Sequence, residues 1–435
     1  MYSFGLTERA KGIAGAVRHK LQNTMNFAST KKKKKRTSSP KAAAVSQTPP
    51  ITSTSTLRRL PPELYQPIIQ SIPPTDLHTL YNLCLTSKCI QYDAEKHLYA
   101  RGVSQEHSED VPLHIRFLRT ITQDTARAER LAGYVKEYCI DSIVHFEEDP
   151  LWSLLAAGLR RMVNLKSLDL RTFGGHPSGE LLLGAPFRLK RLIWRNHSDE
   201  AHMRRILLEQ TELVELGLDS QEQEQVFNLQ NDDADDSWDG KPLYDVSACP
   251  KLEVLRGNRY TIEALLPGRN VTRLCWIPDL EDVTFGPLKP EQGMHEALAR
   301  VKVFSLGGYF SRPSLELFVH SLREVEVLEL LGLHPHEIPL LKQLKTLQEI
   351  VLSLSWGSGS LPVKVEGREE FVRELFASLP ELVCVDIVHD WKKVAEIRYQ
   401  RWRRGLFKDN EAGSDLGRDK TEIVSMFDVR SERFG

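Results

Sequence analysis

A six-residue unit, apolar-x-x-apolar-x-apolar, recurs along this chain and constrains its fold more than any other feature. It reads VKEYCI at Val135, LKSLDL at Leu165, LKRLIW at Leu189, LVELGL at Leu213 and LEVLRG at Leu252. It continues as VTRLCW at Val271, VKVFSL at Val301, VEVLEL at Val325, LQEIVL at Leu347 and LVCVDI at Leu382. Successive units start 30, 24, 24, 39, 19, 30, 24, 22 and 35 residues apart. The last two apolar positions, Leu168 and Leu170 in the second unit, share one face of a short strand. One strand cannot bury that face alone. Stacked units pair strand on strand into a parallel sheet with helices on its outer side. The segments Asp199–Gln210, Pro290–Arg300, Pro313–Leu322, Pro335–Leu344 and Arg368–Leu379 read as the intervening helices.

Ahead of the repeats stands a different stretch, Leu60 to Tyr99. Pro61 and Pro62 suit a helix start, where a missing N–H does no harm. Leu64, Ile68 and Ile72 recur every four residues with Ile69 beside them, and Pro73-Pro74 ends the helix. Thr75 or Asp76 caps a second helix whose stripe is Leu77, Leu80, Leu83 and Cys84. A third runs from about Ser87 to Tyr99. Three short helices bury too little for an independent core, so a neighbouring domain or a partner should complete them.

This stretch resembles the F-box, the three-helix module that docks onto the Skp-type adaptor of cullin–RING ubiquitin ligases. The likeness rests on Leu60-Pro61-Pro62-Glu63-Leu64, Ile68, Ile72, Asp76-Leu77, Leu80 and Leu83-Cys84. Where the family has Val-Cys-Arg-x-Trp, this chain has Leu85-Thr86-Ser87-Lys88. The resemblance implies an adaptor-binding face of Leu60, Pro61, Leu64, Ile68, Ile69, Ile72, Leu77, Leu80 and Leu83. A helical hairpin capping the next domain is the other reading of the same residues.

The repeats, with a period mostly near 20–29 residues, resemble leucine-rich repeats of the kind found after F-boxes. The side chain that follows each strand there is Asn or Cys. Here those places hold Phe173, His197, Gln221, Tyr260, Asp279, Tyr309, Leu333 and Ser355, so an irregular solenoid is expected. An unrelated α/β domain with parallel strands remains the alternative. Positions beside the strands, Lys166, Asp169, Arg191, Glu215, Arg256, Arg273, Lys302, Glu326 and Glu329, are the expected exposed contacts for a target protein.

The expected organisation is α+β. A disordered basic arm (1–56) precedes the three-helix F-box-like module (57–103) and a helical bridge (104–134). An α/β leucine-rich-repeat solenoid follows (135–390), parallel strands inside and helices outside. A basic cap and flexible tail (391–435) ends the chain. In the bridge, Leu113, Phe117, Leu118 and Ile121, then Ala128, Leu131 and Val135, keep helical spacing. Trp391 to Lys408 reads as a basic helix, either capping the solenoid or forming a docking surface, and the chain from Asp409 onward reads as mobile.

Charge is uneven. Residues 1–45 hold eleven Lys or Arg against Glu8, so the remainder of a chain of net charge −1 carries about −11. That argues against a nucleic-acid-binding body. Lys31 to Arg36 reads as a nuclear import signal or a patch for acidic partners, or else as a solvated flexible tail, giving cytoplasm and/or nucleus as the expected location. Phe4 to Phe27 also has the acid-poor look of a presequence. An insert, 219–244, carries Asp232, Asp233, Asp235, Asp236 and Asp239. Calcium binding through an EF-hand fails because the twelfth position from Asp235 is Val246. No apolar run is long enough to span a membrane, and no secretory pattern opens the chain.

Six cysteines include no CxxC, as in a reduced intracellular protein. There is no P-loop, GxSxG or HExxH, and Pro335 keeps His334 and His336 off one helix face. No cofactor or metal is expected. The chain is expected to be a non-catalytic receptor joining adaptor and cullin to an unknown protein target, or a free-standing repeat scaffold.

Overall fold

All ten repeat units form strands, and every strand starts at the third residue of its unit. In the computed structural model these are β1 (Glu137–Val144), β2 (Ser167–Phe173), β3 (Arg191–His197), β4 (Glu215–Ser220) and β5 (Val254–Gly257). They continue as β6 (Arg273–Trp276), β7 (Val303–Leu306), β8 (Val327–Leu331), β9 (Glu349–Ser353) and β10 (Cys384–Asp390). Two further strands, β11 (Arg398–Arg403) and β12 (Glu422–Ser425), complete one open sheet of 12 strands in chain order. β1 to β10 pair parallel, whereas β11 and β12 pair antiparallel. The structure describes residues 61–73, 76–103, 108–144, 150–173, 178–197, 200–220, 247–277, 292–307, 313–353, 367–390, 397–404, 421–425 and 429. The arm 1–56 and nearly all of the insert 219–244 lie outside them.

The first, fourth and sixth positions of the units point to one core. Leu165, Leu168 and Leu170 are each fully buried, as are Leu189, Leu192 and Trp194. Each such side chain contributes roughly 1.5–3 kcal/mol by leaving water. Against this face pack α4 (Val111–Thr122), α5 (Ala126–Tyr134), α6 (Pro150–Arg161), α7 (Glu200–Glu209), α8 (Arg259–Leu265), α9 (Gln292–Ala299), α10 (Ile338–Leu341) and α11 (Arg368–Ser378). Two expected helices are shorter than the sequence suggests. Pro313–Leu322 holds a single 3₁₀ turn, Leu315–Leu317, and Pro335–Leu344 a 3₁₀ turn followed by the one-turn α10. These two units fill the layer with Phe318, Leu322 and Leu341 instead.

Without an asparagine ladder, other buried polar side chains satisfy the joints between units. Gln210 accepts from Leu189 N–H at 2.7 Å and donates to the Phe187 carbonyl. Arg269 donates to the carbonyls of Ala248 and Leu265. Glu337 accepts from the N–H groups of Leu315 and His334.

The module consists of a 3₁₀ turn (Pro62–Leu64), α1 (Tyr65–Gln70), α2 (Leu77–Thr86) and α3 (Lys88–Tyr99). Asp76 caps α2 by accepting from Thr79 N–H. Its own core is small: Ile69, Leu80 and Ala94, with Ile72, Leu83, Cys84, Ile90 and Leu98 around them.

The expected helix at Trp391–Lys408 is corrected by β11. Its period is two, not 3.6: Tyr399 and Arg401 face one side of the sheet, Trp402 the other. Arg401 meets Asp386 of β10 through two bonds of 3.0 and 3.1 Å, both side chains buried. Arg404 stacks over Phe376 and donates to the carbonyls of Leu379 and Leu382. The tail expected to be mobile also contributes β12.

Gly257 stands where the other units carry Leu, Ile or Trp, and α8 begins two residues later. A Cβ there would lie 2.6 Å from the Leu218 carbonyl oxygen and 2.7 Å from Thr261. Gly257→Ala should therefore cost about 1–3 kcal/mol in urea denaturation. Gly367→Ala, which meets nothing within 4 Å, should stay within about 0.5 kcal/mol of the parent.

Candidate functional site

The sheet face away from the helices is where the chain displays charge, and its two halves differ. Strand alternation places Asp141, Asp169, Arg171, Arg191, Glu215 and Arg256 on this face across β1 to β5. They form one ladder. Arg171 bonds Asp169 through two 2.8 Å contacts and reaches Asp141 at 3.4 Å. Arg191 bridges Asp169 at 3.2 Å and Glu215 at 3.1 Å, and Arg256 closes on Glu215 at 3.1 Å. Isolated surface pairs contribute at most about 1 kcal/mol. A shared ladder orients its members, so this half of the face is polar and ordered.

Towards the C-terminal strands the same face is sealed. Glu329 accepts from Ser305 at 2.5 Å and from Ser353 at 3.1 Å, and Ser353 lies 2.7 Å from the Tyr399 hydroxyl. Val351, Val388, Tyr399, Val424 and Val429 form a second apolar cluster over it. Between the halves lies a shallow notch lined by Arg256, Arg273, Cys275, Ser305 and Glu329.

The expected target contacts separate accordingly. Lys166, Arg273 and Lys302 are exposed, while Arg191, Glu215, Arg256 and Glu326 are half-buried. Lys302 pairs with Glu326 at 3.0 Å. Asp169 and Glu329 are corrected: both are buried, at 4% and 1% exposure, and hold the ladder and the serine network. They occupy the fifth position of their units, which side-chain partners cover.

On the module, Pro61, Leu64 and Ile68 are exposed, Leu77 is half-buried, and Leu60 lies outside the described residues. Ile69 and Leu80 are corrected from adaptor face to module core, with Ile72 and Leu83 packed against them. The outward apolar positions of α2 are instead Tyr81 and Leu85, at 56% and 67% exposure. Their four-residue spacing from Leu77 was the available signal. Together with Leu64 and Ile68, each 45% exposed, they put four large apolar side chains on the outside of a module whose buried large apolar side chains are Ile69 and Leu80.

A buried carboxylate joins module and bridge. Glu95 of α3 accepts from Gln91 at 2.8 Å, and pairs with Arg127 at 2.8 Å and Arg130 at 3.0 Å on α5. Burial pushes its pKa up, but the bonds from Gln91, Arg130 and Arg127 outweigh that and hold it below 4.5. Nearby, the buried His114 ring meets the Tyr138 hydroxyl at 2.8 Å and the Ser108 carbonyl at 3.0 Å.

On the helix side, an open cleft is lined by His295, Glu296, Arg300, His320, Ser321 and Arg323. His295 Nδ1 lies 2.5 Å from Ser321 Oγ, but no described carboxylate orients its other ring nitrogen as a nucleophile–base–acid triad requires. His334 and His336 stack on each other. Among the described residues no three His, Cys, Asp or Glu side chains gather as a metal site, and no helix is long and apolar enough to cross a membrane. No protein-family model matches this chain, and no curated protein is significantly similar to it.

Two outcomes follow from these environments. Because the Glu95 pKa is depressed on folding, its contribution is present above pH 4.5 and is lost as pH falls through the folded value. Glu95→Gln should cost about 1–3 kcal/mol at pH 7. The gap from the parent should narrow below pH 4.5 in urea titrations. Burial pushes the Cys139 and Cys249 thiols up to about 12, whereas Cys89 is exposed. Maleimide should modify Cys89 at least about a hundredfold faster than either, read by peptide mass spectrometry, until the chain is unfolded.

Proposed function

We propose that this chain is the non-catalytic substrate receptor of a cullin–RING ubiquitin ligase. In this reading the helices of 61–99 are an F-box-type module, and the stacked sheet is an irregular leucine-rich-repeat solenoid. The observation that carries it is the module's exposed apolar face: Leu64, Ile68, Tyr81 and Leu85 stand in water outside a small core centred on Ile69, Leu80 and Ala94. A hairpin serving only to cap the sheet would turn its large apolar side chains towards that sheet. Here they face water, as a surface awaiting a partner does. The adaptor covers this surface, and the open half of the sheet holds a target protein. The receptor then works by proximity, raising the target's effective concentration near the conjugating enzyme instead of making or breaking bonds. It acts in the cytoplasm, the nucleus or both.

The test is affinity purification of the full chain from its own cells, beside a Pro61→Ala, Ile68→Asp variant. A Skp-type adaptor and a cullin should accompany the parent and be lost from the variant, whose circular dichroism should be unchanged. Proteins retained by the variant are candidate targets. Adaptor retained by the folded variant, or absent from both, leaves a free-standing repeat scaffold with no part in ubiquitin transfer.

A further inference from the structure

We infer that the strand-start edge of the first three repeats is a docking site for an acidic segment of a partner protein. Lys136, Lys166 and Lys190 hold the second position of the first three units. Lys166 N–H donates to the Lys136 carbonyl at 2.8 Å, and Lys190 N–H to the Lys166 carbonyl at 2.7 Å. The three are therefore cross-strand neighbours about 4.8 Å apart. All are exposed, as is Arg188, whose carbonyl accepts from the Lys166 ammonium at 3.3 Å.

Among the described residues none of these four cations has an ion-pair partner, whereas elsewhere along the same edge lysines are matched. Lys302 pairs with Glu326 at 3.0 Å, and Lys251 with Glu212 at 2.8 Å. Glu212 is committed to Lys251: its pKa is lowered first by that hydrogen bond and charge, and after them by Lys190 and Lys166. Like charges side by side on a ladder oppose folding. They stand in a chain that carries about −11 outside residues 1–45. A row this local reverses the sign of the body over about 10 Å, the reach of two strand spacings. That length matches a run of three or four carboxylates. A nucleic acid would carry its charge past both ends of the row and meet the acidic body.

The inference rests on the sheet being a protein-binding surface, not on the adaptor contact. The test uses the full chain with Lys31–Arg36 changed to serine, so that the arm does not take up the probe. A fluorescein-labelled hexaglutamate peptide is titrated by polarisation at about 50 and about 300 mM salt. Binding should weaken with salt. It should fall about tenfold or more in a Lys136→Ala, Lys166→Ala, Lys190→Ala variant and be unchanged in Lys302→Ala. Carbodiimide cross-links should map to the three lysines, and the triple variant should melt no lower than its parent. Equal binding by the triple variant, cross-links elsewhere, or tighter binding of a single-stranded DNA oligonucleotide would overturn the proposal. Adaptor capture by the same triple variant shows whether the receptor reading stands or falls separately.

Discussion

The structure depends on parallel strand pairing in strict register. Leu168 aligns with Leu192, Leu192 with Leu216, and Leu216 with Leu255, and the row continues through Leu274, Phe304, Leu328 and Ile350 to Val385. No unit has enough apolar surface to fold by itself. Each is stable because both neighbours cover it, so the stabilisation is a chain of nearest-neighbour terms. A slip of one residue would turn every leucine of that unit to the polar face. Irregular spacing is tolerated because extra length is taken up in connections, while each strand start stays fixed by the buried first position, from Val135 to Leu382.

Such a stack has two ends to close, and they are closed differently. At the first strand, residues 100–103 lie along β1: Lys136 N–H donates to the Ala100 carbonyl, Gly102 N–H to the Glu137 carbonyl, and Arg101 pairs with Glu137. At the last parallel strand, closure is by reversal of direction, with β11 and the four-residue β12 leaving only a short edge. The buried Asp386–Arg401 pair is costly to desolvate. It also fixes which antiparallel register β11 adopts, since a shift would strand one charge in the core.

Much of this was legible because the repeat pattern records burial directly. The ten parallel strands and their inward-facing positions could be read from apolar spacing, whereas β11 and β12 could not. The polar face could not, because exposure there depends on neighbours from other units. Asp169 and Lys166 look alike as charged residues beside a strand. Yet Asp169 is covered by two arginines from its own strand and the next, and Lys166 is not. Arg401 reads as part of a basic surface until Asp386, fifteen residues earlier, is placed across from it. On the module, Ile69 and Leu80 lie in the same apolar stripes as Ile68 and Leu77, and only the packing of α1 and α2 against α3 decides which side each takes.

The sealing of the C-terminal strands leaves only the N-terminal half of the described face open. Tyr399, Val424 and Val429 cover Val351 and Val388, and Glu329 is spent on Ser305 and Ser353. The ladder of β1 to β5 and the lysine edge beside it stay accessible. That edge begins at Lys136, whose N–H is bonded to the residue that ends α3. The unmatched cations therefore sit where the chain leaves the helical module. In the receptor reading this is the productive place for a target contact. A target held there is tied to the adaptor-bearing module through β1, and the buried Glu95–Arg127–Arg130 joint limits how far the two can swing apart. Proximity raises effective concentration only when the link is short or stiff. The chain meets that condition by putting its open surface in the first repeats and closing the last ones.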